Sequence, residues 1–244
     1  MTVTMRISPS PFDTEILAVR VGKVVVQELS PKLLDELRQE LAAADLDLLF
    51  IRDTRFPFER TAAFDWTGLD LADVKVVLTN SELAAVVAES KKGFGIVSDL
   101  GPDQAIRLRP LTRSIALRSR FARWFGEERA CRLYDVWLEN SLSHEAADWC
   151  LVCRETASGD PAGLIAVRRS GDTAEMTLVA TAEQYRGQGI LRFLSSHVLA
   201  FLHSQRLRAC TVSTQLSNPA AFRAYQSLGF AFDGTIVDLH LHRR

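Results

Sequence analysis

Apolar residues along the chain form two kinds of run, short β-branched stretches and longer segments with a helical repeat. Residues 17–26 carry β-branched residues and end in the run 24–26, which predicts a strand. Ser30 as cap and Pro31 at a first helical position then predict a helix. Its apolar residues Leu33, Leu34, Leu37, Leu41 and Ala42 recur at helical spacing. Residues 46–51 and 74–78 read as short buried strands, and 81–90 as a second short helix. Residues 55–70, aromatic and charged, follow neither period. Residues 91–104 hold four glycines and prolines and read as a connection.

Beyond this connection, 106–108 reads as a strand, followed by helices over 112–125 and 127–141. Three strand-like segments follow, 149–154, 163–168 and 174–181. Polar turns at 157–160 and 170–172 join them as antiparallel hairpins. A long helix over 189–204 carries Ile190, Leu191, Leu194, Val198, Phe201 and Leu202 as one stripe. A strand at 210–214, a helix at 219–228 and a strand at 235–241 close the chain. The expected fold is α/β, with a smaller N-terminal α/β region over 1–104 and a second domain over 105–244.

The strand over 175–181 runs through Gln184-Tyr185-Arg186-Gly187-Gln188-Gly189-Ile190 straight into the long helix. The first N–H groups of a helix have no intrahelical partner and stand at its positive end. Loop positions without side chains, Gly187 and Gly189, let an anion approach them. Arg186, with Arg192, adds positive charge. The physics specifies a phosphate site and nothing narrower. A plain strand-to-helix turn that uses two glycines is the bland alternative. No Gly-Lys-Ser/Thr follows, so this is not a Walker loop, and Gly93-Phe94-Gly95 lacks a third glycine and reads as a turn.

Composition adds little to this picture. The 244 residues are 47% hydrophobic and 24% charged, which suits a soluble globular protein of one or two domains. A net charge of -1 and the lack of a long basic run argue against nucleic-acid and membrane partners. The polar stretch 1–11 does not resemble a signal peptide, and no apolar run approaches ~18 residues, so the expected location is cytoplasmic. Cys150 and Cys153 form a C-x-x-C on a strand, where residues three apart face opposite ways, so buried thiols are expected rather than a metal site. His240 and His242 share a strand face without a third ligand, and no metal is expected.

The pattern Q-x-x-G-x-G resembles the phosphate-binding motif of the GCN5-related N-acetyltransferase (GNAT) superfamily. Ser217-Asn218-Pro219-Ala220-Ala221-Phe222, Tyr225 and Leu228-Gly229-Phe230 are similar to that family's closing signature. The order of elements over 105–244 is also similar. The resemblance implies a GNAT fold, a mixed and mostly antiparallel sheet flanked by helices, and an N-acetyltransferase using acetyl-CoA as co-substrate. It implies that backbone N–H groups from Arg186 through Gly187, Gln188 and Gly189 to Ile190, with Gln184 opening the motif, cradle the CoA pyrophosphate. Main chain at Val179 and Thr181 would pair with the pantetheine arm, Asn218 would bond it, and Tyr225 would face the sulfur as proton donor. An unperturbed phenol, pKa ~10, is a weaker acid than a thiol at ~8.5. Tyr225 therefore needs a depressed pKa or acts mainly as a hydrogen-bond donor. Glu175, counted six residues before Thr181 and on the same strand face, is a candidate base directly or through water, or simply an exposed carboxylate.

Arg120 and Phe121, followed by Tyr134, Trp137 and Asn140, resemble residues of bacterial acetyltransferases acting on 4-amino-4,6-dideoxyhexose nucleotides, the dTDP-fucosamine acetyltransferase group. That group opens with a Trp-Asp-Ser-like segment and a Phe-Phe-Gly. Here Phe12-Asp13-Thr14-Glu15-Ile16-Leu17-Ala18 keeps the acidic-hydroxyl pair and loses the Trp and the Phe-Gly. The resemblance implies a nucleotide sugar as amine acceptor, with Arg120 on its diphosphate and Phe121, Tyr134 or Trp137 against a ring. An aromatic core stripe and a surface cation are the bland alternatives. A peptide or other small amine as acceptor, or a non-catalytic acetyl-CoA-binding module, are competing readings, and a homodimer is compatible with the sequence.

Overall fold

The computed structural model describes residues 7–98 and 100–243, without the side chains of residues 59 and 60. The start of the polar stretch 1–11, as far as residue 6, and residue 99 of the expected connection lie outside the described residues. In chain order the elements are β1 (Ser8–Pro9), α1 (Pro11–Leu17), β2 (Val21–Val26), α2 (Pro31–Ala43), β3 (Leu48–Asp53) and β4 (Leu69–Asn80). Then come β5 (Phe94–Val97), α3 (Ala105–Ala116), α4 (Arg120–Phe125), α5 (Glu127–Leu142), β6 (Trp149–Glu155), β7 (Pro161–Ser170) and β8 (Thr173–Thr181). The last are α6 (Ile190–Ser204), β9 (Ala209–Gln215), α7 (Pro219–Gln226) and β10 (Ala231–His242). The chain divides into two compact units, Met1–Val76 with Gly234–Arg244, and Val77–Asp233. These bounds differ from the partition at 104/105.

In the first unit the strand order is β1-β2-β3-β10-β4. β2 runs parallel to β3, and β10 antiparallel to it, with Val237 opposite Asp53 and His242 opposite Leu48. Ser30 caps α2 through Leu33 N–H at 3.2 Å, and Leu34, Leu37 and Leu41 are buried against Val24, Val26, Leu49, Ile51, Val237, Leu239 and Leu241. A period of 3.6 on α2 thus meets a period of 2 on the strands. The strand expected over 17–26 starts later. Ser10 and Pro11 open α1, which ends where Ala18 turns left-handed at φ 55°.

The second unit carries β4-β9-β8-β7-β6-β5 in that order. β5, β6, β7 and β8 are antiparallel neighbours, and β8 and β9 are parallel. Helices cover both faces. The Trp149 ring meets Phe201 of α6 at 5.4 Å, whereas the next residue, Cys150, faces the Ser141 carbonyl of α5 at 3.5 Å. α3 packs against α5 and lies over β7 and β8 on the α5 side. With both faces covered, Val152, Leu164, Ile165, Ala166 and Val167 are all buried, as one unbroken apolar run per strand requires. Gly163 lets α6 come close, since a Cβ there would sit 3.1 Å from Ile190 Cγ2 and 3.1 Å from the Ala180 carbonyl.

Several expected elements differ. Residues 106–108 belong to α3 and are not a strand. Ala105, Leu108, Leu111, Thr112 and Ala116 are buried at helical spacing, and Ile106 points to solvent. The helix expected over 112–125 breaks before Ser119, whose hydroxyl donates to the Ala116 carbonyl and accepts from Ala122 N–H, starting α4. Residues 81–90 hold only a 3-10 turn, Leu83–Ala85. The connection 91–104 contains strand β5, and 55–70 contains a 3-10 helix, Phe58–Ala63.

Cys150 and Cys153 are buried and unbridged. Burial pushes the Cys150 thiol up to about 12 and the Cys153 thiol up to about 11, and it pushes Cys210 up to about 12. The thiolate is the reacting form, so a raised pKa slows alkylation at any pH below it. Iodoacetamide at pH 8 should therefore label partly exposed Cys131 first, and label Cys150, Cys153 and Cys210 only when denaturant is added. Mass spectrometry of tryptic peptides over time gives the order; early labelling of Cys150 or Cys153 in folded protein contradicts it.

Candidate functional site

β8 and β9 pair over only part of their length. Thr173 faces Ala209, Ala174 faces Cys210, Glu175 faces Thr211 and Met176 faces Val212, where the register stops. β8 continues to Thr181 and β9 to Gln215. The parting coincides with a β-bulge. Val167 of β7 lies opposite Met176, but the preceding Ala166 lies opposite Leu178, so Thr177 is an extra residue on β8. A bulge bends and twists its strand, which turns β8 away from β9. Ala182 N–H donates to the Ala162 carbonyl. By strand alternation Ala180 also faces β7, so the main-chain groups of Val179 and Thr181 point to the opposite edge, beyond the end of the β9 register.

The bulge also changes which residues share a face. Register partners lie on one face, so Arg168, Glu175 and Thr211 form a row on the side of Cys150 and α5. Past Thr177 the alternation slips by one. Val179 pairs with Ile165, and Thr181 with Gly163, whose Cα hydrogen faces Ile190 of α6. Glu175 is therefore not on the face of Val179 and Thr181, as the even count predicts, but on the opposite one. It is exposed.

β8 leads through a 3-10 turn, Glu183–Tyr185, into the glycine loop. Gly187 and Gly189 both have φ +75°, a region that disfavours side chains, and a Cβ on either would meet nothing within 4 Å. The space over the loop is open. No side chain caps α6, which begins directly after Gly189. Two of the expected cradle donors are already engaged. Arg186 N–H donates to the Glu183 carbonyl at 3.2 Å, and Gln188 N–H to the Tyr185 carbonyl at 3.4 Å. The donors left for an anion are those of Gly187, Gly189 and the first turn of α6. The Arg186 side chain reaches the Ser114 hydroxyl of α3 at 3.2 Å and Glu183 at 3.3 Å. Gln184 is exposed, and its carbonyl accepts from the Gln188 side chain at 3.0 Å.

β9 leads into α7 at the same end of the strands. Asn218 caps α7, its Oδ1 accepting from Ala221 N–H at 3.3 Å, with Pro219 at the first helical position. Tyr225 is 2% exposed, and its ring packs on Phe230 at 5.5 Å. It lies beside the Cys210 thiol, on the α6 side of the sheet. Burial, reinforced by Cys210, raises the phenol pKa well above its ordinary value. Burial thus runs against the depressed pKa that full proton donation by Tyr225 would need. Gly229, at φ +83°, turns the chain beyond the end of α7, and buried Asn80 holds this corner through the Leu228 carbonyl at 2.7 Å.

The remaining expected residues sit on α4 and α5, which pack together. The Arg120 guanidinium lies over the Phe121 ring at 4.9 Å, and its Nε and Nη1 are closed to solvent. Tyr134 is 6% exposed and belongs to the core stripe of α5. Its ring lies 5.5 Å from Trp137, which is half-buried, as is Asn140. These residues share the α5 side of the sheet with Glu175. Two contributors were not anticipated, the bulge at Thr177 and Cys210 beside Tyr225. Neither has a sequence signal of its own, since one is a register effect and the other a buried strand thiol like its fellows.

A cavity of about 510 Å³ opens at the other end of β8 and β9, lined by Glu82, Leu83, Asp172, His203 and Arg208 among others. It is remote from the strand gap along both strands. Among the described residues no cluster of His, Cys, Asp and Glu could hold a metal ion, and no helix is long and apolar enough to cross a membrane.

The fold recurs in solved structures of low sequence identity. A conserved protein of unknown function from Staphylococcus epidermidis ATCC 12228 has TM-score 0.69 at 13% identity, over 100% of this chain and 94% of that one. A tandem GNAT protein from the clavulanic acid biosynthesis pathway has TM-score 0.62 at 15% identity, over 92% and 75%. A GCN5-related N-acetyltransferase from Sphaerobacter thermophilus has TM-score 0.61 at 16% identity, over 98% and 76%. At the sequence level, the family model described as acetyltransferase (GNAT) family matches residues 114–230. That span, just under half of the chain, holds the strand gap, the glycine loop, Asn218 and Tyr225.

Proposed function

We propose that the protein transfers acetyl from acetyl-CoA to a primary amine by direct attack, within a ternary complex. The observation that carries this reading is the coincidence of three features at one end of β8 and β9. These are the gap between the strands, the open cradle over Gly187 and Gly189, and the Asn218 cap of α7. The pyrophosphate would be held by the N–H groups of Gly187, Gly189 and the first turn of α6. The pantetheine would lie in the gap as a short added strand on Val179 and Thr181, with Asn218 contributing its amide. A backbone N–H at Val179 or Thr181 would polarise the thioester carbonyl. Tyr225 would donate a hydrogen bond to the departing sulfur. Glu175, on the opposite face, would take the proton of the incoming ammonium directly or through water. No serine or cysteine stands in a nucleophile motif, which favours direct attack over an acyl-enzyme.

For the acceptor we propose the 4-amino group of a nucleotide-linked 4-amino-4,6-dideoxyhexose. The support is the set Arg120, Phe121, Trp137 and Asn140 on the Glu175 side of the sheet. Within the expected set, Tyr134 is buried in α5, and Arg120 has two of its nitrogens closed to solvent. Acetylation of a peptide or other small amine uses the same machinery and is the competing outcome.

Three experiments test these assignments. Gly187→Val and Gly189→Val place a side chain over the anion cradle at φ +75°. Each should stay folded, at a cost of about 1–2 kcal/mol for the left-handed backbone, and lose acetyl-CoA binding in a calorimetric titration. Wild-type affinity in a folded variant removes the cradle.

Tyr225→Phe should lower kcat by about 10²–10⁴ while acetyl-CoA affinity stays within about threefold, since the hydroxyl acts on charge that develops in the transition state. A donor must be protonated, and burial moves its deprotonation upward. The wild-type rate should therefore show no alkaline decline due to Tyr225 below pH ~10, and a lower-pH limb that disappears in Tyr225→Phe contradicts the assignment.

Arg120→Ala should raise KM for the sugar nucleotide much more than for acetyl-CoA in paired steady-state kinetics. Equal use of free aminosugar and nucleotide sugar, or exclusive use of a peptide amine, defeats the acceptor assignment and leaves acetyl transfer standing.

A further inference from the structure

In the irregular segment 86–90, Glu89 makes three hydrogen bonds to α6. Its main-chain N–H donates to the Ser196 hydroxyl at 3.0 Å, and its carbonyl accepts from His197 Nε2 at 2.8 Å. Its carboxylate accepts from Arg192 Nε at 2.7 Å. Arg192 is the third residue of α6 and its side chain is 51% exposed. It therefore stands in the helical turn whose N–H groups face the open cradle. His197 is itself fixed, its ring edge-on to Phe193 at 4.8 Å, and Ser196 is buried. The anchor under Glu89 is rigid, whereas the arginine it holds reaches toward solvent.

A guanidinium has five N–H donors in a planar fork, one on Nε and four on the two terminal nitrogens. A carboxylate on Nε engages one edge of that plane and leaves terminal donors pointing away from it. A long arginine on a helix surface otherwise samples many rotamers and loses that freedom when it binds. Glu89 also brings negative charge near the same place, so charge and orientation act in opposite directions on an incoming phosphate. At a half-exposed site the charge effect is weakened by solvent and salt, while the directional effect of a held fork is not.

We propose that Glu89 is a positioning residue for acetyl-CoA: it holds the Arg192 guanidinium by Nε so that its terminal amino groups meet the CoA phosphates at the start of α6. This rests on the acetyl-CoA reading above. Nothing in the Q-x-x-G-x-G motif calls for a partner a hundred residues earlier, so the pair is a property of this chain's own 86–90 segment.

The main-chain bonds of Glu89 survive replacement of its side chain, so Glu89→Ala keeps the segment docked and frees only the arginine. Calorimetric titration with acetyl-CoA should find Arg192→Ala weakened about tenfold, as loss of a charge-assisted contact gives. Glu89→Ala should be weakened about threefold to fivefold, and Glu89→Gln, whose amide oxygen still accepts from Nε, should stay within about twofold of wild type. In the Arg192→Ala background Glu89→Ala should have no further effect, which a merely structural role would not produce. Unchanged or tighter binding in Glu89→Ala, or an equal loss with and without Arg192, overturns the proposal alone. A wild-type protein that binds no acetyl-CoA overturns the underlying reading, and this one with it.

Discussion

A strand inside a sheet satisfies its amides along both edges, and β8 ceases to do so after Met176. Everything proposed for this site depends on that interruption. The extra residue at Thr177 bends β8 where its pairing with β9 stops. The main chain of Val179 and Thr181 is left facing an opening that another extended chain can fill. The helices that follow the two strands, α6 and α7, start from the two lips of the same opening. Their first turns, the glycine cradle and the Asn218 cap, are brought together by strand geometry. Gly163 contributes by allowing the first turn of α6 to seat against the sheet.

The same bulge sets the two residues proposed for the chemistry on opposite faces. Tyr225 lies with Cys210 on the α6 side, buried and held neutral. Glu175 lies on the α5 side, exposed, in a row with Arg168 and Thr211. A donor to a leaving group and an acceptor of an incoming proton have opposite requirements. The first gains from a dry site, where a hydrogen bond to developing charge is strong. The second needs access to water and substrate. A continuous strand would have put Glu175 on the face of Thr181, so one inserted residue separates the two environments.

Much of this was legible in the sequence because local signals and packing agreed. The Ser30–Pro31 start of α2, the three hairpin strands, the glycine loop and α7 are where cap, period and turn residues place them. What was not legible depends on partners distant in sequence. Residues 106–108 have the composition of a short strand, yet Ala105, Leu108 and Leu111 are buried by α5 and the sheet as one helical stripe. Strand β5 was hidden among glycines, because its pairing with β6 comes from residues 152–155 and not from its own pattern. The face of Glu175 could not be counted from spacing alone, since a bulge is a relation between two strands. The pKa of Tyr225 depends on burial, which no residue count conveys.

The first unit is built from two separated stretches, Met1–Val76 and Gly234–Arg244, and the second stretch supplies part of β10, which lies between β3 and β4. Val237, Leu239 and Leu241 are core residues of that unit. Synthesis runs from the amino terminus, so α2 and its strands must wait with an unfilled slot until residues 234–244 are made. The second unit, Val77–Asp233, is continuous and has no such wait. The order of completion on the ribosome therefore reverses the order of the sequence, and the unit translated first is the one that stays exposed to chaperones and proteases longest.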